Sequence, residues 1–232
     1  MTLEERKNSF KNSTSYITTK ELVKKYTSNP DFPYLVSFPR TGSHWLRSIM
    51  ELYFGIPSLC RIFTKGLINS KEFTCYHRHD LKLNLKRKNV LYLYRNPVET
   101  IYSIIRYYKK DVFNTDNINY YTNLYCKHLK KWLYEDDFTK KKTIIKYELL
   151  KKEPEEEFKK VCDHFNKKYN KESLIDVINF INKKMIKNKT GYDKQVMNIS
   201  NEYVLNQIKF IEEKSNFIYD IVNNYKLNNI FK

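Results

Sequence analysis

Short apolar runs alternate with amphipathic segments along most of this chain. The run YLVSF at 34 to 38 predicts a short strand, and NVLYLY at 89 to 94 predicts a second one. TIIKYE at 143 to 148 predicts a third strand. Apolar residues at helical spacing follow the first two strands, at 45 to 53 and at 101 to 108. Strands that alternate with helices favour parallel pairing through crossover connections.

The pattern therefore predicts an α/β fold, in a single domain with a parallel central sheet flanked by helices. Further helical periods are predicted at 121 to 132, 158 to 165, 174 to 185, 204 to 211 and 217 to 225. Residues 1 to 30 are polar, with few apolar positions, and predict a loosely ordered N-terminal arm with at most one short helix around Lys20 to Tyr26. Residues 31 to 232 are expected to form the α/β domain.

Charge is the most unusual feature of the composition. The 232 residues include 43 lysines and arginines against 26 acidic residues, for a formal net charge of +17. This excess indicates either a solvated lysine-rich surface, which we favour because the charges are scattered, or a polyanionic partner. The four cysteines form no CxxC pair and are expected to be buried free thiols in a reducing compartment. Without a signal peptide or a long apolar run, we expect a cytoplasmic protein with no membrane segment.

The segment FPRTGSHWLRS at 38 to 48 lies between the first strand and its helix. A helix that begins at the carboxyl end of a parallel strand offers unpaired N–H groups to an anion. Gly42 permits a close backbone approach, hydroxyl residues flank it, and Arg40 and Arg47 add positive charge. The signature GxxxxGK[ST] of nucleoside triphosphate binding is absent. On this segment alone, a plain turn between strand and helix stays open as an alternative.

A second segment, LYRNPVETIYS, follows the second strand. It places Arg95 at the end of that strand and Ser103 on the next helix, which Asn96 and Pro97 are expected to start. Together, FPRTGSHW and YRNPVETIYS resemble the two nucleotide-binding motifs of the sulfotransferases that use 3′-phosphoadenosine 5′-phosphosulfate (PAPS). The resemblance covers residues 34 to 215 and implies a P-loop-like nucleotide-binding core, with PAPS as co-substrate, PAP as product and no metal.

Residue by residue, the resemblance assigns Arg40 to the 5′-phosphosulfate and its bridging oxygen. Arginine binds oxygen pairs well and hardly gives up a proton, so this residue is expected to act electrostatically. The resemblance also implies a 3′-phosphate site at Arg95 and Ser103. The remaining positions of the first motif would form the 5′-phosphate loop and the adenine platform, namely Thr41, Gly42, Ser43 and His44 for the loop and Trp45 for the platform.

Two weaker similarities extend into the carboxyl-terminal half. KYELL at 146 to 150 is similar to a family strand that ends in tyrosine and an acid, which would place Tyr147 near the adenine. KNKTG at 187 to 191 is similar to a basic loop that closes over the 3′-phosphate and implicates Lys187, Lys189 and Gly191.

Sulfuryl transfer to a hydroxyl needs a base, and the family places a histidine after the next strand. FTCYHRHD at 73 to 80 offers His77 and His79. We favour His79, with Asp80 as a residue that could orient its ring. Without the family, the HxH pair would suit a metal, but no third ligand stands at a suitable spacing. His128 and His164 are expected to be structural.

The predicted function is sulfuryl transfer from PAPS to a hydroxyl or amine acceptor. A P-loop phosphotransferase and a basic nucleic-acid-binding protein are the alternatives. Segments 55 to 80 and 108 to 120 combine aromatic and basic residues and are expected to border the acceptor site. The acceptor is expected to be a small molecule, a saccharide or a peptide.

Overall fold

The computed structural model describes residues 1–135, 138–190 and 202–230. In these ranges the strands are β1 (Tyr16–Ile17), β2 (Tyr34–Ser37), β3 (Arg61–Ile62), β4 (Tyr76–Arg78), β5 (Asn89–Tyr94) and β6 (Lys141–Lys146). The helices are α1 (Leu3–Lys11), α2 (Lys20–Thr27), α3 (Ser43–Phe54), α4 (Pro97–Tyr107), α5 (Thr115–Leu129), α6 (Tyr147–Lys152), α7 (Pro154–His164), α8 (Lys171–Phe180), α9 (Lys183–Thr190), α10 (Glu202–Ser215) and α11 (Ile218–Ile230). A 3-10 turn covers Lys65–Leu67, and a π-helical turn, Lys130–Tyr134, continues α5.

The central sheet has four parallel strands in the order β4-β2-β5-β6. β2 therefore pairs with β4 on one side and with β5 on the other. In open α/β sheets, ligands bind at the carboxyl ends of strands where the strand order reverses, and β2 occupies that position here. β1 and β3 form a separate antiparallel pair.

Helices cover both faces of this sheet because its strands are apolar on both sides. Alternate residues of β5 face opposite cores: Val90, Tyr92 and Tyr94 pack with α4 and α5, whereas Leu91 and Leu93 pack with α3 and α7. The near-continuous apolar run that predicted this strand has its physical origin in this double burial. The predicted α/β class with a parallel, helix-flanked sheet is confirmed.

The amino-terminal segment differs from the expected loose arm. Thr2 and Glu5 form a capping box that begins α1, and Phe10 of this helix is fully buried. The Arg6 Nε donates to the Leu52 carbonyl at 2.6 Å, and Lys7 forms an ion pair with an aspartate of α8. A second helix, α2, lies where the single short helix was expected. This segment is ordered with few apolar residues because the buried Phe10 ring and the charged groups of Arg6 and Lys7 attach α1 to the rest of the domain.

The third strand also differs from its predicted bounds, since it runs from 141 to 146 and not from 143 to 148. The two carboxyl-terminal residues of the predicted strand, Tyr147 and Glu148, instead begin α6. At the junction, the Lys146 N–H donates to the Glu157 carboxylate at 2.6 Å, and one Glu148 oxygen accepts the Asn96 N–H at 2.7 Å. Tyr147 thereby lies just beyond the strand end, at the same sheet edge as the motif residues.

Candidate active site

The loop between β2 and α3 has a tightly curved backbone. Arg40 has φ +73° and Gly42 has φ +95°, so two of its residues adopt the left-handed conformation. The Thr41 hydroxyl donates to the Phe38 carbonyl at 2.8 Å, which fixes the start of the turn. No side chain caps α3, which begins at Ser43. Because the first N–H groups of a helix lack intrahelical partners, this loop presents donors and partial positive charge to an anion.

Tyr147 packs directly on the glycine of this loop. A Cβ added to Gly42 would lie 2.5 Å from two atoms of the Tyr147 ring. The same ring meets Trp45 edge to face, with centroids 5.6 Å apart, and the Arg95 guanidinium carbon lies 4.8 Å from its centroid. The structure thus brings Tyr147 together with both motifs, and burial raises its pKa.

Arg40 links the two motifs through its side chain. Its Nε donates to the Ser103 hydroxyl at 3.1 Å, and its guanidinium carbon lies 5.1 Å from the Tyr107 ring centroid. Arg95 donates to the Arg40 carbonyl at 3.4 Å. The three residues that the motifs assign to the phosphate groups therefore lie in one contiguous cluster, although more than fifty positions separate Arg40 from Arg95.

Arg95 is held on several sides but keeps a donor available. Its guanidinium forms an ion pair with Glu99, one turn along α4. The Tyr125 hydroxyl accepts the Arg95 N–H at 3.1 Å and donates to the Arg95 carbonyl at 2.9 Å. The Nε of Arg95 is buried and has no hydrogen-bond partner among the described residues. A buried guanidinium N–H without a partner is costly, and an anionic oxygen would satisfy it.

His79 carries the nitrogen arrangement that a base requires. Its Nδ1 lies 2.8 Å from the carbonyl oxygen of Ser37. Since a carbonyl can only accept, Nδ1 bears the proton and Nε2 keeps its lone pair. Nε2 makes no hydrogen bond to any residue that the structure describes. Burial lowers the His79 pKa, so the ring stays neutral at pH values where a free imidazole would protonate.

The backbone of His79 is held by a second histidine. The His128 Nε2 donates to the His79 carbonyl at 2.8 Å, and its Nδ1 accepts from the Tyr92 hydroxyl at 3.0 Å. Burial lowers the His128 pKa to about 3, which keeps this ring neutral. These contacts agree with the predicted structural role of His128. Its hydrogen bond to the His79 carbonyl holds the backbone directly after β4.

Asp80 does not orient the His79 ring, contrary to expectation. Arg87 donates two hydrogen bonds to the Asp80 carboxylate, at 2.9 and 3.1 Å. The Ser37 carbonyl orients His79 instead. His77 is more deeply buried, with its Nε2 3.1 Å from the Ser37 hydroxyl and its ring centroid 4.9 Å from that of His79. Burial lowers the His77 pKa well below its usual value.

Arg47 does not add its charge to the loop. It is fully buried, with Nε donating to the Ser58 hydroxyl at 2.8 Å and a terminal nitrogen donating to the Arg61 carbonyl at 2.6 Å. The next turn of α3 carries Glu51, whose carboxylate accepts the N–H groups of residues 63 and 64. Both side chains fasten the segment that follows α3. His44, in the first turn of α3, has its pKa lowered to about 3 by burial and by nearby arginines.

The basic segment at 187 to 191 differs from the expected loop. Lys187 and Lys189 lie on α9, and Gly191 lies outside the described residues. Lys189 donates to the Ser13 carbonyl, and its ammonium lies 4.5 Å from the Phe10 ring centroid. Its contacts therefore join α9 to the amino-terminal segment and not to Arg95 or Ser103. Burial lowers the Lys189 pKa to about 8.

Four residues that contact Arg40, Arg95 or His79 were not predicted as site residues: Ser37, Glu99, Tyr107 and Tyr125. Ser37 acts on His79 through its backbone carbonyl, which any residue would supply, so its side chain gave no signal for this role. Tyr107 lies four residues after Ser103, one helical turn away, and that spacing could have identified it.

The residues that the structure describes include no group of three or more histidines, cysteines or acids arranged to hold a metal. None of the described helices is long and apolar enough to cross a membrane. Cys75, Cys126 and Cys162 are buried free thiols, and Cys60 is a half-buried one.

A family model described as "Sulfotransferase domain" matches residues 74–215. The chain belongs to the sulfotransferase family. This match confirms the identification as a PAPS-dependent sulfotransferase that the two motifs predicted, while the roles of single residues stay predictions. No curated protein sequence matches the chain significantly. Among solved structures, the mouse sulfotransferase SULT7A1 in complex with PAP is similar, with 17% identity, a TM-score of 0.47 and coverage of 90% of this chain and 94% of that one.

Proposed function

We propose that this sulfotransferase moves a sulfuryl group from PAPS to a hydroxyl acceptor, with His79 as the general base and Arg40 as the stabiliser of the leaving 5′-phosphate. The observation that carries the proposal is the His79 hydrogen bond to the Ser37 carbonyl at 2.8 Å. It leaves Nε2 as a proton acceptor, and Ser37 lies three residues before Arg40. The base and the cationic group are thus positioned by one strand end.

The residues present suit the phosphate groups of PAPS. The unpartnered Nε of Arg95 is a donor for the 3′-phosphate, beside the Ser103 hydroxyl that already contacts Arg40. The uncapped start of α3 and the left-handed Gly42 suit the 5′-phosphate. Trp45 and Tyr147 would border the adenine. PAPS supplies an electrophilic sulfur joined to a phosphate that leaves as an anion.

The reaction follows from these positions. His79 Nε2 takes the proton of the acceptor hydroxyl while that oxygen attacks sulfur in line. The new bond joins the acceptor oxygen to sulfur, and the bond between sulfur and the bridging oxygen breaks. Its electron pair stays on the 5′-phosphate, where Arg40 and the amides around Gly42 stabilise the charge. The proton then passes from His79 to solvent, and the products are the sulfated acceptor and PAP.

The other assignments stand on the resemblance. Thr41, Ser43 and His44 would complete the 5′-phosphate loop, and Lys187 and Gly191 would close over the 3′-phosphate. Lys189 would reach the same phosphate only after leaving its contact with Ser13.

Two measurements test the proposal. Thermal unfolding should shift upward with PAP in the absence of metal, and not with ATP and magnesium. Replacement Arg40→Ala should lower kcat at least about a hundredfold, because one electrostatic contact to a developing anion contributes about 3 to 4 kcal/mol. The exposed Lys152→Ala serves as the control and should leave kcat unchanged. A kcat of Arg40→Ala within a few fold of the parent, or stabilisation by ATP and not by PAP, would contradict the proposal.

A further inference from the structure

A row of tyrosine rings leads away from Arg40 along the end of α4 and across to α5. We define this tyrosine row as Tyr107, Tyr108, Tyr121 and Tyr120. Beginning 5.1 Å from the Arg40 guanidinium carbon, successive ring centroids are 5.1, 6.1 and 5.0 Å apart. The rings of Tyr108 and Tyr121 are nearly parallel, at 5°. The row is therefore continuous with the cluster that holds the proposed leaving group.

Three of the four rings are open to solvent. Tyr107 is 40% exposed, Tyr108 is 54% exposed and Tyr120 is 61% exposed, whereas Tyr121 is buried beneath them. Contiguous exposed aromatic rings are uncommon on the surface of a soluble protein and indicate a binding surface. The buried Tyr121 supports its exposed neighbours from α5.

Lysines give this row a positive charge. The Lys110 ammonium lies 5.5 Å from the Tyr121 ring centroid and 6.0 Å from that of Tyr120. Lys109 is exposed beside it, in the left-handed conformation. The nearest acid in sequence, Asp111, accepts the Phe113 N–H at 3.0 Å. The surface thus combines flat aromatic faces with cations.

We propose that the tyrosine row is an acceptor subsite for an acidic oligosaccharide. This inference rests on the proposed function, because it places the acceptor hydroxyl between Arg40 and His79. The C–H groups on the face of a sugar ring carry partial positive charge and stack on the negative face of an aromatic ring. Carboxylate or sulfate groups of the same chain would pair with Lys109 and Lys110.

The geometry favours a saccharide over the other acceptor classes. A small phenol would occupy one ring position and leave the rest of the row unused. An extended peptide gains much of its affinity by main-chain hydrogen bonds to a sheet edge, and the row consists of side chains on two helices. An elongated ligand with alternating apolar faces and anionic groups uses the row along its whole length.

The test compares four acceptors with PAPS as donor. These are a hexasaccharide of alternating glucuronate and N-acetylglucosamine, a neutral N-acetylglucosamine hexamer, p-nitrophenol, and an acidic peptide that contains one tyrosine. Transfer of radiolabelled sulfate is measured for the parent and for Tyr108→Ala, Tyr120→Ala and Lys110→Ala. Tyr16→Ala, at an exposed tyrosine on β1, is the matched control.

We expect transfer to the acidic hexasaccharide, with its KM raised at least fivefold in each of the three variants and kcat within twofold of the parent. Tyr16→Ala should change neither constant. Preference for the phenol, the peptide or the neutral hexamer would overturn the inference, as would an unchanged KM in the variants. If PAP stabilises the protein but the acidic hexasaccharide is not sulfated, only this inference fails. If PAP does not stabilise it, the proposed function fails.

Discussion

The proposed base illustrates how a buried histidine can be kept ready to accept a proton. Burial removes water from the His79 ring and lowers its pKa, while the Ser37 carbonyl fixes the proton on Nδ1. Burial lowers the His79 pKa by more than the hydrogen bond to the Ser37 carbonyl raises it. The ring is thereby neutral and correctly oriented before the acceptor arrives.

The pH dependence of kcat/KM should report this lowered pKa. A base must be unprotonated, so activity is full above the folded-state pKa and falls as pH falls through it. Because the His79 pKa lies below its ordinary value of 6.5, the acidic limb should lie below pH 6.5. His79→Gln should lose at least about a hundredfold in kcat/KM. The comparison variant His77→Gln should keep the acidic limb. An acidic limb retained by His79→Gln and lost by His77→Gln would reverse the assignment.

Some of this site is visible in the sequence and some is not. The resemblance of the two motifs assigned Arg40, Arg95 and Ser103 to the phosphate groups, and the fold brings these residues into contact. Ser37 acts on His79 through a carbonyl oxygen that every residue carries, so its identity gives little signal. Asp80 stands next to His79 in sequence, but its carboxylate lies where Arg87 reaches it. Neighbours along a chain need not be neighbours in a site.

At the scale of elements, the decisive feature is the turn from β2 into α3. It uses a left-handed glycine at the point where the helix starts, and Tyr147 of α6 closes over it. Loop, helix start and ring are thereby packed as one unit. Gly55, which ends α3, is also left-handed, with φ +67°. The two glycines bound the same helix, but only the first belongs to the site.

This pair permits a matched comparison. Alanine at either position is strained by about 1 to 2 kcal/mol, because a Cβ disfavours positive φ. At Gly42 the Cβ also lies 2.5 Å from the Tyr147 ring, whereas at Gly55 the nearest atom is 3.1 Å away on the flexible Arg6 side chain. Gly42→Ala should therefore lose at least tenfold in PAP affinity, measured by titration calorimetry, and Gly55→Ala should lose only stability. Equal PAP affinities would show that the loop does not cradle the nucleotide.

Apolar runs predicted three of the four strands of the central sheet, β2, β5 and β6, but not β4. β5 has its predicted bounds because it is buried on both faces and is apolar throughout. The carboxyl end of β6 was misplaced, because a tyrosine and a glutamate suit a strand and a helix start equally well. α1 was missed because one buried ring, Phe10, and a capping box hold it, with no apolar stripe to reveal it. The pattern of apolar residues indicates which faces of a helix or strand are buried. It does not indicate where the element ends or which contacts hold its ends in place.

At the scale of the whole molecule, all five histidines share one property. Burial is the largest cause of a lowered pKa in His44, His77, His79, His128 and His164. The unfolded chain would protonate each of them near pH 6.5, whereas the folded chain keeps them neutral. Below pH 6.5 the unfolded state therefore binds more protons, and stability falls as pH falls. Glu51 acts in the opposite direction, because burial raises its pKa to about 7.

The effect of a buried histidine on the pH dependence of stability can be measured separately at His164, because this residue lies on α7 and is not part of the proposed site. Its pKa is lowered to about 4, its Nδ1 lies 2.9 Å from the Thr143 hydroxyl, and its Nε2 is buried without a partner among the described residues. Between pH 6.5 and 5.5 such a group costs about 1 kcal/mol of unfolding free energy. The difference in unfolding free energy between the parent and His164→Asn, measured by urea denaturation, should fall by about this amount over that range. Glu51 and the other histidines cancel in that difference because both proteins contain them. A difference independent of pH would mean that His164 takes up its proton equally well in the folded chain.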